Sequence, residues 1–110
     1  HDCSEGGLAV TLAECCIADD HRQLGCKLDA GPNGVAPHAW LFGEDASRAV
    51  ISFSPGQRAR IEKLCADEGV PFQCAGTVGG DTLDISCLLN IGVTELSMAW
   101  RQGFTRALGL

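Results

Sequence analysis

The closing stretch of the chain constrains its architecture most. Leu96, Ala99, Trp100, Gly103, Phe104, Ala107 and Leu108 recur at i, i+3, i+4, i+7 and i+8, one continuous stripe of an amphipathic helix. Thr94 suits the cap of that helix and Glu95 its first turn. A stripe of this length must be covered by a second layer, so Trp100 and Phe104 read as core. The layer it covers is read from the segments upstream.

A first helix is predicted over about Glu5–Ala18, with Ser4 as its N-cap. Its apolar residues fall on two faces: Leu8, Leu12, Cys15 and Cys16 on one, Val10, Ala13 and Ile17 on the other. Leu24–Leu28 reads as a short strand, Ala30–Pro37 as a flexible loop and Trp40–Arg48 as a compact turn. Ala49–Phe53 is β-rich and predicts a strand. Ser54-Pro55 starts a helix that runs to about Asp67, with Ile61, Leu64 and Cys65 inward. Phe72–Val78 and Thr82–Cys87 read as partner strands joined by the turn Gly79-Gly80-Asp81, and Leu88–Ile91 continues the second or forms a further segment. The order α-β-β-α-β-β-α implies helices layered on a mostly antiparallel sheet, an α+β class.

Length and charge narrow the function. With 110 residues the chain is a single domain, 1–110. Its net charge is −6 with no basic cluster, which argues against nucleic acid and anionic membranes as partners. No apolar run approaches the ~20 residues that span a bilayer. Seven cysteines without a C-x-x-C pair read as small buried thiols in a reducing cytoplasm; Cys15, Cys16, Cys65 and Cys74 lie where Ala, Val or Leu would serve.

Chemistry concentrates at the other end, in His1-Asp2-Cys3-Ser4-Glu5-Gly6-Gly7-Leu8. The start of a helix presents unpaired N–H groups and partial positive charge, and glycine admits close approach. Ser4, Glu5, Gly6 and Gly7 are therefore candidates to bind a phosphate or nucleotide, and Asp2 is an oxygen ligand of the kind Mg²⁺ takes. The alternative is a capped helix whose glycines serve packing. His1 is a candidate general base or a hydrogen-bonded structural residue. Glu44 and Arg48 either face a cleft or pair with each other to hold a turn. No catalytic residue is assigned. A motif at the first residue, without an initiator Met, suggests a piece of a larger protein.

H-D-C-S-E-G-G-L-A-V at 1–10, L-F-G-E-x-x-S-R at 41–48, G-T-V-G-G at 76–80 and the terminal E-L-x-x-A-W helix together resemble the C-terminal domain of the phosphoribosylformylglycinamidine synthases. The resemblance covers essentially the whole chain and favours the small bacterial or archaeal form. It implies an AIR synthase-related C-terminal domain fold, a three-layer α/β/α sandwich. The full enzyme is an ATP-dependent, glutamine-using carbon–nitrogen ligase of purine biosynthesis, with Mg²⁺ and ATP. Its implied partners are the remaining domains of the same enzyme, a glutaminase subunit and a small bridging subunit. By position, Asp2 matches a Mg²⁺ ligand of the first copy of the repeated unit, and Glu44-Asp45-Ala46 matches a substrate-binding turn. Relatives often carry Ser-Gln where this chain has Asp45-Ala46, and an acid there weakens binding of a phosphorylated sugar. The resemblance thus makes this domain a cleft wall, inactive as a ligase alone. The alternatives are a non-catalytic nucleotide-binding or structural module, or the corresponding domain of a thiamine-monophosphate kinase, selenophosphate synthase or hydrogenase-maturation protein.

Overall fold

A computed structural model describes residues 1–110. The chain forms helix α1 (Gly7–Ile17), strand β1 (Cys26–Leu28), helix α2 (Pro37–Phe42), a 3₁₀ turn (Pro55–Gln57), helix α3 (Arg58–Asp67), strands β2 (Gly76–Val78), β3 (Thr82–Ile85) and β4 (Leu89–Gly92), and helix α4 (Val93–Ala107). The class is mixed α and β, with one four-stranded sheet in the order β2-β1-β3-β4. β1 pairs antiparallel with β2 and parallel with β3, and β3 pairs antiparallel with β4.

Strand alternation sorts the sheet into two faces. Cys26 and Leu28 of β1 and Leu83 and Ile85 of β3 are buried, and they form one core with Ala9, Leu12 and Cys16 of α1, Leu41 of α2 and Val93 of α4. Leu89 and Ile91, opposite Ile85 and Leu83, extend that face at half-buried positions. Lys27, Asp84 and Asn90 alternate onto the other face, which is polar. Helices α1 and α4 pack together on the apolar side.

Several sequence expectations give way here. The hairpin of 72–78 with 82–87 does not form, because β1 lies between β2 and β3. Gly25 makes that insertion sterically accessible: a Cβ there would sit 2.1 Å from the Thr82 carbonyl oxygen. Its amide donates to Gly80 O at 2.9 Å, and its carbonyl accepts from Gly79 N at 2.9 Å. The predicted strand 49–53 is reduced to a single bridge between Asp2 and Ala49, since backbone partners are found only as far as Val50, in residues 1–3. Pro37–Phe42 is helical rather than loop and turn, started by Pro37 at its first position.

Ser4 does not cap α1. Gly6 does, in a left-handed conformation, and α1 begins two residues later than predicted. Trp100 and Phe104 are 69% and 77% exposed, so they are not core. Only the first turns of α4 reach α1 and β4, burying Val93 and Ser97, and the rest of the helix runs past its support. Likewise α3 buries no residue, and Leu64 is exposed. Of the seven cysteines read as buried, Cys3, Cys16 and Cys26 are. Cys15, Cys74 and Cys87 are exposed and Cys65 is half-buried.

Candidate functional site

The site assembles where the first residues meet the turn after α2. Residues 1–3 lie antiparallel to residues 48–50: Cys3 N donates to Arg48 O at 2.9 Å, and Val50 N donates to His1 O at 2.8 Å. Buried Thr11 locks the strip from beneath, its hydroxyl donating to the Asp2 carbonyl at 2.9 Å. This stitching brings the 41–48 motif onto the start of α1.

At that corner the chain takes two consecutive left-handed residues, Gly6 (φ 83) and Gly7 (φ 80). A Cβ on Gly7 would lie 2.6 Å from the Phe42 carbonyl carbon, so its bareness serves the close approach of α2's backbone. The amide of Gly6 donates to Glu44 Oε1 at 3.0 Å. A carboxylate at the start of α1 is stabilised by that amide and by the helix dipole. Asp2 Oδ1 accepts from the Ser4 hydroxyl at 2.7 Å and the Ser4 amide at 3.2 Å. The hydroxyl first, and the amide second, hold the Asp2 carboxyl below its ordinary value. Ser4 and Glu5 are solvent-exposed beside it.

The Glu44–Arg48 pair offered by the sequence is not made. Arg48 donates instead to the carbonyls of Trp40 (3.2 Å) and Gly43 (2.9 Å), satisfying the end of α2. Its Nε is buried without a partner. Glu44 and Arg48 act on opposite ends of the same turn, because the orphan donors of one helix and the orphan acceptors of another outcompete a mutual ion pair there.

His1 turns to a different place. Its Nδ1 lies 2.6 Å from Asp2 O and its Nε2 lies 2.6 Å from Glu14 Oε2. Both partners are acceptors when Glu14 is ionised, so both ring nitrogens donate and the imidazolium fits this geometry. The ring lines an open cleft of about 700 Å³ between α1 and α4, with Glu14, Cys15, Ile17, Trp100 and Arg101. This cleft contains His1 but none of Asp2, Ser4, Glu5, Gly6, Gly7, Glu44 or Arg48.

No three His, Cys, Asp or Glu side chains converge as a metal cage. The exposed carboxylate of Asp2 fits a Mg²⁺ ion only in the style of one protein carboxylate completed by phosphate oxygens and water. The Gly6 amide is engaged by Glu44, and the Cβ side of Gly7 faces the backbone of Phe42. Sequence reasoning overlooked Thr11 and Glu14. The signal for Thr11 was a β-branched hydroxyl amid the apolar run of the first helix, and Glu14 follows it by three residues, one turn on.

Residues 1–86 match the family described as AIR synthase related protein, C-terminal domain. The chain is similar to "Phosphoribosylformylglycinamidine synthase subunit PurL" of Anaeromyxobacter sp. (strain Fw109-5), at 42% identity over 98% of its length. It is 44% identical to the protein of the same name in Anaeromyxobacter dehalogenans (strain 2CP-C), again over 98% of its length. The corresponding Brucella ovis protein is 45% identical over 94%. The chain spans 13–15% of the length of these relatives.

Proposed function

The chain belongs to the AIR synthase related protein, C-terminal domain family, and from that premise we propose that it is one domain, 1–110, of a phosphoribosylformylglycinamidine synthase. The carrying observation is identity of 42–45% to PurL subunits over 94–98% of the chain. In this reading the complete enzyme is a cytoplasmic ligase that converts formylglycinamide ribonucleotide to formylglycinamidine ribonucleotide, with glutamine-derived ammonia as nitrogen donor. Bound MgATP supplies the phosphoryl group that activates the substrate's amide oxygen. A glutaminase and a small bridging subunit supply the ammonia.

The role of this domain is to form one wall of a nucleotide cleft. Asp2 would hold Mg²⁺ and is kept ionised by Ser4. Ser4, Glu5, Gly6 and Gly7 would face the phosphates. Glu44 fixes the Gly6 amide, and Arg48 fixes the turn that carries Glu44. His1, held by Glu14, lines the neighbouring cleft between α1 and α4. The three-layer sandwich belongs to the same proposal, with α3 as the outer layer seated through its exposed Leu64.

The surface supports association with the remaining domains. The chain exposes 7674 Å². A folded protein of 11.5 kDa exposes roughly 5,800 Å². The excess, about 1,900 Å², is more than the roughly 800 Å² that each partner gives to a standard interface. Leu64, Trp100, Phe104 and Leu108 are exposed apolar residues within it.

A second reading is favoured by one contact. Glu44 already occupies the Gly6 amide, and this contact fits a self-capped structural joint with no nucleotide. Calorimetric titration of the full-length protein with Mg-ADP, Mg-ATP and formylglycinamide ribonucleotide separates the two. The cleft-wall reading expects saturable Mg-nucleotide binding that Asp2→Ala weakens at least tenfold while the fold, followed by circular dichroism, is retained. Unchanged affinity in folded Asp2→Ala leaves the structural joint. Failure of the wild-type protein to bind all three ligands, or to restore purine-free growth to a strain lacking the synthase, sinks the synthase assignment itself.

A further inference from the structure

Two sulfurs in the core meet across the boundary between helix and sheet. Cys16 sits in the last turn of α1 and Cys26 is the first residue of β1. Their Sγ atoms are 4.0 Å apart, and the residues are only 4% and 8% exposed. Nothing in the proposed nucleotide chemistry uses them. We propose that Cys16 and Cys26 are a peroxide-responsive dithiol that closes to a reversible disulfide, fastening the end of α1 to the start of β1.

The position favours closure. A disulfide needs its sulfurs about 2.0 Å apart, so the two must approach by about 2 Å at two element ends. Between them, residues 18–24 form a polar connection whose side-chain contacts to α4 are few: Gln23 Nε2 donates to Ser97 Oγ at 3.0 Å, and Asp20 pairs with Arg101. Local opening of that segment admits a molecule as small as hydrogen peroxide. The shared sulfur–sulfur hydrogen bond pulls the Cys16 thiol below its ordinary value. The same contact, with burial, pushes Cys26 up. Cys16 is thus the attacking sulfur and Cys26 the resolving one.

The chemistry balances with peroxide as oxidant. The Cys16 thiolate attacks one peroxide oxygen, the O–O bond breaks, and Cys16 becomes a sulfenic acid as hydroxide leaves and takes up a proton to form water. The Cys26 sulfur then attacks Cys16 Sγ, the S–O bond breaks, and the second water leaves with the Cys26 proton. Two thiols and one peroxide give one disulfide and two waters.

Peptide mapping of the full-length protein tests this. Trypsin cuts after Arg22 and Lys27, isolating Gln23–Lys27 with Cys26 as its sole thiol. After mild peroxide treatment and alkylation, this peptide is expected linked to the one carrying Cys16, lighter by two hydrogens, and freed by dithiothreitol. Cys15→Ser should keep the link and Cys16→Ala should abolish it. Fragmentation of the wild-type linked peptide assigns the partner independently of whether either variant folds. The oxidised protein should also unfold at higher guanidinium concentration than the reduced one. An alkylated Cys26 after peroxide, a link to Cys3 or Cys15, or a link that survives Cys16→Ala overturns the proposal. None of these outcomes depends on nucleotide binding, so the synthase reading stands or falls separately.

Discussion

Gly7 decides more of the site than any ionisable residue. Its φ of 80 and the 2.6 Å approach of Phe42 leave no room for a side chain. Gly34 has a similar φ, 72, but open space around it. The pair separates backbone strain from packing. Gly34→Ala should cost about 1 kcal/mol, the left-handed penalty alone. Gly7→Ala should cost about 3 kcal/mol, as α2 is also pushed off α1. Urea unfolding of both variants checks this, and equal costs would refute the packing role. Asp2 gives a pH signature of opposite origin. Its folded pKa lies below the unfolded value near 3.8, so its contribution is present above that value and fades as pH falls through the folded pKa. Ser4→Ala removes the larger cause and should move the Asp2 carboxyl up toward 3.8 in an NMR titration. An unmoved titration would mean that the Ser4 hydroxyl is not what holds it. The sequence marked Asp2, Ser4, Gly6, Gly7 and Glu44 as belonging to a site. It did not reveal that Glu44 satisfies Gly6 rather than Arg48, because that choice depends on which orphan helix group lies nearest in space.

Among the elements, α4 shows how far periodicity can be trusted. Its stripe correctly predicts a helix, and the burial it implies holds only at the first turns. Amphipathicity reports a face that wants cover, and whether cover exists depends on where the neighbouring elements end. Leu83, fully buried on β3, and Phe104, 77% exposed on α4, should therefore respond in reverse order of side-chain size. Leu83→Ala is expected to destabilise the chain by about 3 kcal/mol through a core cavity. Phe104→Ala should stay within about 0.5 kcal/mol. Thermal unfolding checks the order, and a large loss at Phe104 would mean that α4's outer face is covered within the chain. The strands were harder to read. Gly79-Gly80 marked a real turn, but the segments it joins are separated by β1, and a turn signal carries no information about a third strand entering between its arms.

At the scale of the whole molecule, the dimensions carry the argument. The radius of gyration is 15.2 Å, with extents of 52 × 31 × 24 Å. About 13 Å is usual for this length. Only 14 of the 110 residues are buried, so the apolar faces of α3 and the far end of α4 lie open. The relatives it matches are several times longer than this chain. What the sequence determined by itself was local: the helical spacing at 93–107, the Ser-Pro and Gly-rich punctuation, and the motifs that carry the family resemblance. These are properties of neighbours along the chain, where backbone sterics and side-chain period act directly. What only the tertiary structure decided was pairing: β1 between β2 and β3, Glu44 on Gly6, Arg48 on α2, Cys16 against Cys26. Each of those is a competition among groups far apart in sequence, settled by distance in the fold.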